Sequence, residues 1–112
     1  LSELFVNAWN HMQKQVHESC VEKGFWEGGS GNRNVGEALA LIHSEISEGL
    51  EGHRKGLMDE HCAGFTSLEV ELGDAIIRIM DLAGGLNLRV AEAIIAKHSF
   101  NRTRPYKHGK RY

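Results

Sequence analysis

The chain has 112 residues, 41% of them hydrophobic and 25% charged, with a formal net charge of −2. That size suits one domain and is too small for two, so residues 1–112 are read as a single domain. A helical chain this short buries only about two-thirds of the surface it exposes unfolded, which favours self-association. The near-neutral total hides an asymmetry: residues 97–112 carry six Lys/Arg and no acid, whereas the preceding 96 carry seven Lys/Arg against 15 Asp/Glu. An acidic body opposes binding of a nucleic-acid polymer. No apolar run approaches the ~18 residues of a membrane span, no secretory leader is read, and Cys20 and Cys62 form no C-x-x-C pair. A reducing, cytoplasmic setting without membrane attachment is the expectation.

Strand-like alternation is almost absent and the sole proline is Pro105, so the fold class is all-α. The first helix is expected from about Ser2 to Lys23, with Phe5, Trp9, Met12, Val16 and Cys20 as its core stripe and Gly24 ending it. Asn7 and His11 fall on its polar flank. A loop with four glycines, Gly24 to Asn34, follows and contains Trp26. With no apolar stripe to join, Trp26 is a candidate for stacking on a base.

The second helix is expected from about Val35 to Arg54. Val35, Leu39, Ile42, Ile46 and Leu50 form its apolar stripe. At about 100° per residue, Glu45 borders that stripe and Glu48 lies farther round. The third helix opens with Thr66-Ser67-Leu68-Glu69, a capping box that gives Glu69 a structural role. It is apolar nearly all round, and Gly84-Gly85 are expected to end it. Its one polar strip is Glu71, Asp74, Arg78 and Asp81. A narrow acidic strip between apolar flanks points to a cleft or an interface. Arg78 is expected to pair with Asp74 or Asp81, and Asp81 to support the carboxylates from behind. A short fourth helix runs from about Leu88 to Lys97, followed by the basic tail, residues 97–112.

Glu45 and Glu48 read E-x-x-E; after a gap of 22 residues Glu71 and Asp74 read E-x-x-D. Residues three apart share a helix face, so two adjacent helices can aim four carboxylates at one point. Such a cluster repels itself until cations enter it, and Mg²⁺ is the usual cation for carboxylates that also meet phosphate. In the tail, Lys97, Arg104 and Lys107 are candidate phosphate ligands. Asn101 either joins them or caps the fourth helix. His98 and His108 also lie among these bases, while Lys110 and Arg111 read as plain tail charges.

The paired carboxylate motif, with Lys97 followed by Asn101 and Arg104, resembles the MazG-like superfamily of all-α nucleoside triphosphate pyrophosphohydrolases. The resemblance covers about residues 35–110, with a weaker echo in Gly24-Phe25-Trp26. It implies a four-helix domain assembled as a dimer or a dimer of dimers. It implies Mg²⁺-dependent hydrolysis of nucleoside triphosphates, deoxyribonucleotides foremost, to the monophosphate and pyrophosphate, with Mn²⁺ able to replace Mg²⁺. Removal of non-standard or surplus nucleotides would be its service. Glu45, Glu48, Glu71 and Asp74 would hold the metal, with Glu45 or Glu48 activating water; Glu48, farther from the buried stripe, is the better placed. Lys97, Asn101, Arg104 and Lys107 would bind phosphate, and Trp26, Asn7 and His11 the nucleoside.

Other chemistries fit less well. No Glu-x-x-His supports a di-iron bundle, no adjacent His-Asp supports that class of phosphohydrolase, and no Walker loop is present. The alternative from another class is a non-catalytic helical oligomer that binds nucleotide or a partner protein.

Overall fold

The computed structural model describes all of residues 1–112. It is all-helical, with four α-helices: α1 (Ser2–Glu22), α2 (Val35–Lys55), α3 (Ser67–Leu86) and α4 (Val90–Arg102). There are no strands, only an isolated bridge between Met58 and Thr66. No helix is long and apolar enough to cross a membrane.

The helix ends follow local chemistry. Past α1, Gly24 turns left-handed (φ 88), and Phe25 N–H reaches back to the Cys20 carbonyl at 3.1 Å. Gly56 (φ 64) does the same for α2, with Leu57 N–H on the Gly52 carbonyl at 3.0 Å. Only glycine takes this conformation without a Cβ clash. Asn34 caps α2 by accepting the Glu37 N–H at 3.0 Å. Thr66 and Glu69 form the expected capping box on α3.

Gly84 and Gly85 do not end α3, which continues to Leu86 and is capped by left-handed Asn87. Their purpose is close approach. A Cβ on Gly84 would lie 2.8 Å from the His17 Cβ, and one on Gly85 would overlap the Trp26 ring. The fourth helix is also longer than expected, reaching Arg102 and so enclosing Asn101.

α3 is the central helix. It packs on α2 along one side and on α1 along another, while α4 packs chiefly on α1. The α2–α3 contact corrects the expected core stripe of α2. The buried positions of α2 are Ala38, Glu45, Gly49 and Gly52, whereas Val35, Leu39, Ile46 and Leu50 are exposed and Ile42 is half-buried. Small residues let the two backbones close: Gly49 faces Leu68 and the Glu71 Cβ, and Gly52 faces Ser67. The first helix follows its stripe only in part, with Val16 buried, Trp9 and Cys20 half-buried, and Phe5 and Met12 exposed.

Only 12 residues are buried, and no large side chain is completely enclosed. The densest apolar cluster joins Trp26, Ala38 and Leu82, with Cys20, Ile42 and Leu86 against it. The radius of gyration is 16.3 Å, against about 13 Å for a compact chain of this length.

Candidate metal centre

Turning Glu45 toward α3 brings it opposite Glu71 and Asp74. One carboxylate oxygen from each of the three lies within 4.8 Å of the others. Oxygen ligands of an octahedral Mg²⁺, each at about 2.1 Å, are no more than about 4.2 Å apart, so the trio would have to draw in by a few tenths of an ångström to hold an ion. The donors are all hard oxygens, as Mg²⁺ or Mn²⁺ requires. Glu48 is exposed and outside this trio, yet near enough that its charge helps raise both Glu71 and Asp74.

The electrostatics are those of acids crowded without enough cations. The Glu45 carboxylate is buried, and Arg78 Nε donates to its Oε1 at 2.8 Å. Its Oε2 is buried with no donor, and so is Oε2 of Glu71. Glu71 is pushed up to about 7, first by sharing a hydrogen bond with Glu45, then by burial, then by Glu48. Burial raises Asp74 as well, reinforced by the Glu45 charge. Burial also works to raise Glu45, but the neighbouring Glu71 carboxyl and the Arg78 guanidinium outweigh it and leave Glu45 lowered. A divalent cation would satisfy the orphaned oxygens and relieve the crowding of the acids together.

Two side chains near the cluster differ from expectation. Arg78 pairs with Glu45, not with Asp74 or Asp81. Asp81 turns away from the cluster. Its Oδ1 accepts the Trp26 indole N–H at 2.8 Å and lies 2.9 Å from His17 Nδ1, so it ties α3 to α1 and the glycine-rich loop. Burial, and then the Asp81 charge, push the neighbouring Cys20 thiol up.

Trp26, proposed from sequence for the nucleoside, is a core residue here. It is 7% exposed, with His17 edge-on at 4.9 Å and the Arg33 guanidinium over its ring at 5.2 Å. Asn7 lines a cleft of about 580 Å³ between α1 and α4, with Ser2, Val6 and Ile95. His11 is exposed. Asn7 sits about 15 Å along α1 from His17, so Trp26, Asn7 and His11 do not line one cavity. The residue that sequence reasoning passed over is His17. Its signal was the glycine pair opposite it, which marks a close side-chain contact.

A cleft of about 530 Å³ opens beside the acids. Glu71 and Asp74 edge it, Phe65, Val70 and Ile77 supply apolar wall, and Asp59, His61 and Cys62 come from the α2–α3 loop. Asp59 stiffens that loop by accepting the N–H groups of His61 and Cys62 at 2.9 and 2.6 Å, and these bonds hold its carboxyl below the usual range.

The phosphate-ligand candidates lie elsewhere. Lys97 and Asn101 lie near the end of α4, and Arg104 follows just past it. Lys97 and Arg104 both approach the Phe100 ring, at 4.8 and 5.6 Å, and Asn101 Oδ1 is buried without a donor. Lys107 stands over Tyr106 at 5.7 Å. None of these four residues bonds to Glu45, Glu48, Glu71 or Asp74 within the chain.

No protein-family model matches the chain, and comparison with curated proteins and with solved structures gives no match.

Proposed function

We propose that this chain is a Mg²⁺-dependent nucleoside triphosphate pyrophosphohydrolase of the MazG-like type, working as a homodimer or homotetramer. The observation that carries the reading is that Glu45 and Glu71 each keep a buried oxygen with no donor within a trio, completed by Asp74, whose carboxylate oxygens come within 4.8 Å of one another. Neutral packing would not retain two such atoms. Phosphate chemistry is favoured by the hard donor set, by the spacing of the two motifs, and by Lys97, Asn101 and Arg104.

Glu45, Glu71 and Asp74 would hold the cation. Bound there, Mg²⁺ supplies charge neutralisation and Lewis-acid polarisation to phosphate oxygens. Arg78 fixes the Glu45 rotamer. Glu48, left in solvent beside the cluster, is placed to accept the proton of the attacking water. The water oxygen bonds to the α-phosphorus, the bond from that phosphorus to the oxygen bridging the β-phosphate breaks, and pyrophosphate leaves. Lys97, Asn101 and Arg104 would steady the departing phosphates. Because α4 packs chiefly on α1, this reading takes them from a neighbouring copy.

Association has its own support. The chain exposes 8569 Å², where a compact monomer of 12.5 kDa exposes about 6,200 Å². The excess, about 2,400 Å² per chain, is in the range of obligate subunit interfaces. Leu39, Ile46 and Leu50 on α2, with Leu72 and Ile76 on α3, are 43–51% exposed and are natural material for it.

The test is product analysis over a panel of ribo- and deoxyribonucleoside triphosphates. Monophosphate and pyrophosphate without orthophosphate, only with Mg²⁺ or Mn²⁺, support the reading. Absence of turnover from folded, metal-loaded protein would leave the non-catalytic oligomer.

A further inference from the structure

Arg78 is the only lysine or arginine that bonds to any of the carboxylates Glu45, Glu48, Glu71 and Asp74. It stands on the acidic strip of α3, about one turn past Asp74, and reaches across to α2 through Nε alone. Its Nη amino groups, the forked end of the guanidinium, bond to nothing in the chain. Neither is among the buried atoms that lack a partner, so both open to solvent while Nε is engaged. The two sides of the pair differ accordingly: the Glu45 side chain is 7% exposed and the Arg78 side chain 38%. The Arg78 charge is felt at Asp74 as well, where it partly offsets the burial that raises that acid.

A guanidinium is an odd neighbour for a cation site. Held 2.8 Å from one of the ligand carboxylates, it repels any divalent ion placed there. A neutral donor would orient Glu45 without opposing the ion. Cation and guanidinium become compatible when an anion meets both, as a phosphate does. The tail bases do not fill that place within the chain, since neither Lys97, Arg104 nor Lys107 bonds to the cluster.

We infer that Arg78 is a substrate contact whose free Nη groups take the non-bridging oxygens of the phosphate under attack, the α-phosphate in the pyrophosphohydrolase reading, on which this inference rests. Charge is spread over those oxygens in the transition state. A donor fork fixed beforehand by the Nε bond to Glu45 meets that charge without reorganising. Arg78 then has two duties, orienting Glu45 with one side of its guanidinium and holding substrate with the other. In sequence it reads only as a structural partner for Asp74 or Asp81; its one-sided contact with Glu45 reveals the second duty.

The experiment compares Arg78→Lys and Arg78→Gln with the wild type in two titrations of the full chain. One adds Mn²⁺ alone, followed by electron paramagnetic resonance. The other adds a non-hydrolysable deoxynucleoside triphosphate analogue in saturating Mg²⁺, followed by calorimetry. Lysine keeps the charge and loses the fork; glutamine loses the charge and keeps a donor for Glu45. Should the glutamine variant fail to fold, the lysine variant carries the test. Mn²⁺ should bind each variant within about twofold of the wild type or more tightly, because a like charge has been kept or removed. The analogue should bind about tenfold or more weakly to each, and kcat should fall about a hundredfold or more. A role confined to Glu45 gives the opposite pattern, weaker Mn²⁺ binding with an analogue loss that merely follows it, and that result overturns the inference. Unchanged analogue affinity and kcat in both variants also overturn it, and with wild-type turnover intact they remove it alone. Wild-type protein that binds Mn²⁺ but neither binds the analogue nor hydrolyses nucleotides removes the hydrolase reading and this inference together.

Discussion

Arg78 donates to only one oxygen of Glu45, at 2.8 Å, and leaves the other buried with no donor. The guanidinium fork can grip a carboxylate twice, and here it grips once. The second oxygen stays unpaired in a carboxylate that groups with Glu71 and Asp74. Arg78 thus orients Glu45 for the cluster without neutralising the whole of it.

The metal-free protein should lose stability as pH rises through the cluster's titration. Glu71 has an ordinary value of 4.5 when unfolded and about 7 when folded. Between those values the folded state binds more protons, so the stabilisation is complete below the lower value and is lost as pH rises toward the upper. The raised Asp74 acts in the same direction. Melting temperature in EDTA should therefore fall between about pH 4.5 and 7, and excess Mg²⁺, bound only by the folded state, should flatten the fall. A rise across this window in EDTA would contradict the raised Glu71.

Gly85→Ala should destabilise the fold by about 1–3 kcal/mol, because its Cβ enters the Trp26 ring in a packed contact. Gly73→Ala is the control, inside α3 with nothing within 4 Å of the added Cβ; gaining a better helix former, it should stabilise by about 0.5–1 kcal/mol. Denaturant melts of the two variants measure both effects.

Asp81→Ala should cost about 1–3 kcal/mol by leaving the buried Trp26 indole N–H unpaired. Divalent-cation affinity should not change, since Asp81 faces α1 and not the cluster. A loss of cation affinity with unchanged melting would return Asp81 to the metal-supporting role read from sequence.

Sequence periodicity located the helices well. The start of α2 at Val35, the end of α1 beside Gly24 and the Thr66–Glu69 capping box are set by local rules, and local rules are readable. What periodicity could not decide was which face meets which neighbour. The apolar stripe of α2 looked like its inner face, but α3 packs against the small residues Ala38, Gly49 and Gly52 and draws Glu45 inside with them. The same limit hid the purpose of Gly84 and Gly85. In sequence a glycine pair reads as a terminator; in the fold it makes room for His17 and Trp26. The carboxylate trio was legible because two three-residue spacings on adjacent helices constrain it strongly. The partner of Arg78 was not, because Asp74, Asp81 and Glu45 were equally reachable until the helices docked.

Ile46→Glu should dissociate the proposed oligomer. Ile46 is 48% exposed on a face that also carries Leu39 and Leu50, and a carboxylate buried between copies without a partner is costly. Sedimentation should show wild-type protein as a dimer or tetramer and the variant shifted to monomer. A monomeric wild type would contradict the assembly and, with it, the supply of Lys97 and Arg104 from a neighbouring copy.

The most direct test of the central claim is Mn²⁺ binding, followed by electron paramagnetic resonance in wild-type protein and in Glu45→Gln and Glu71→Gln. The account predicts saturable binding in the wild type, competition by Mg²⁺, and at least about tenfold weaker binding in each variant, with the helical fold retained. Wild-type affinity in both variants, or no saturable Mn²⁺ binding at all, would contradict it.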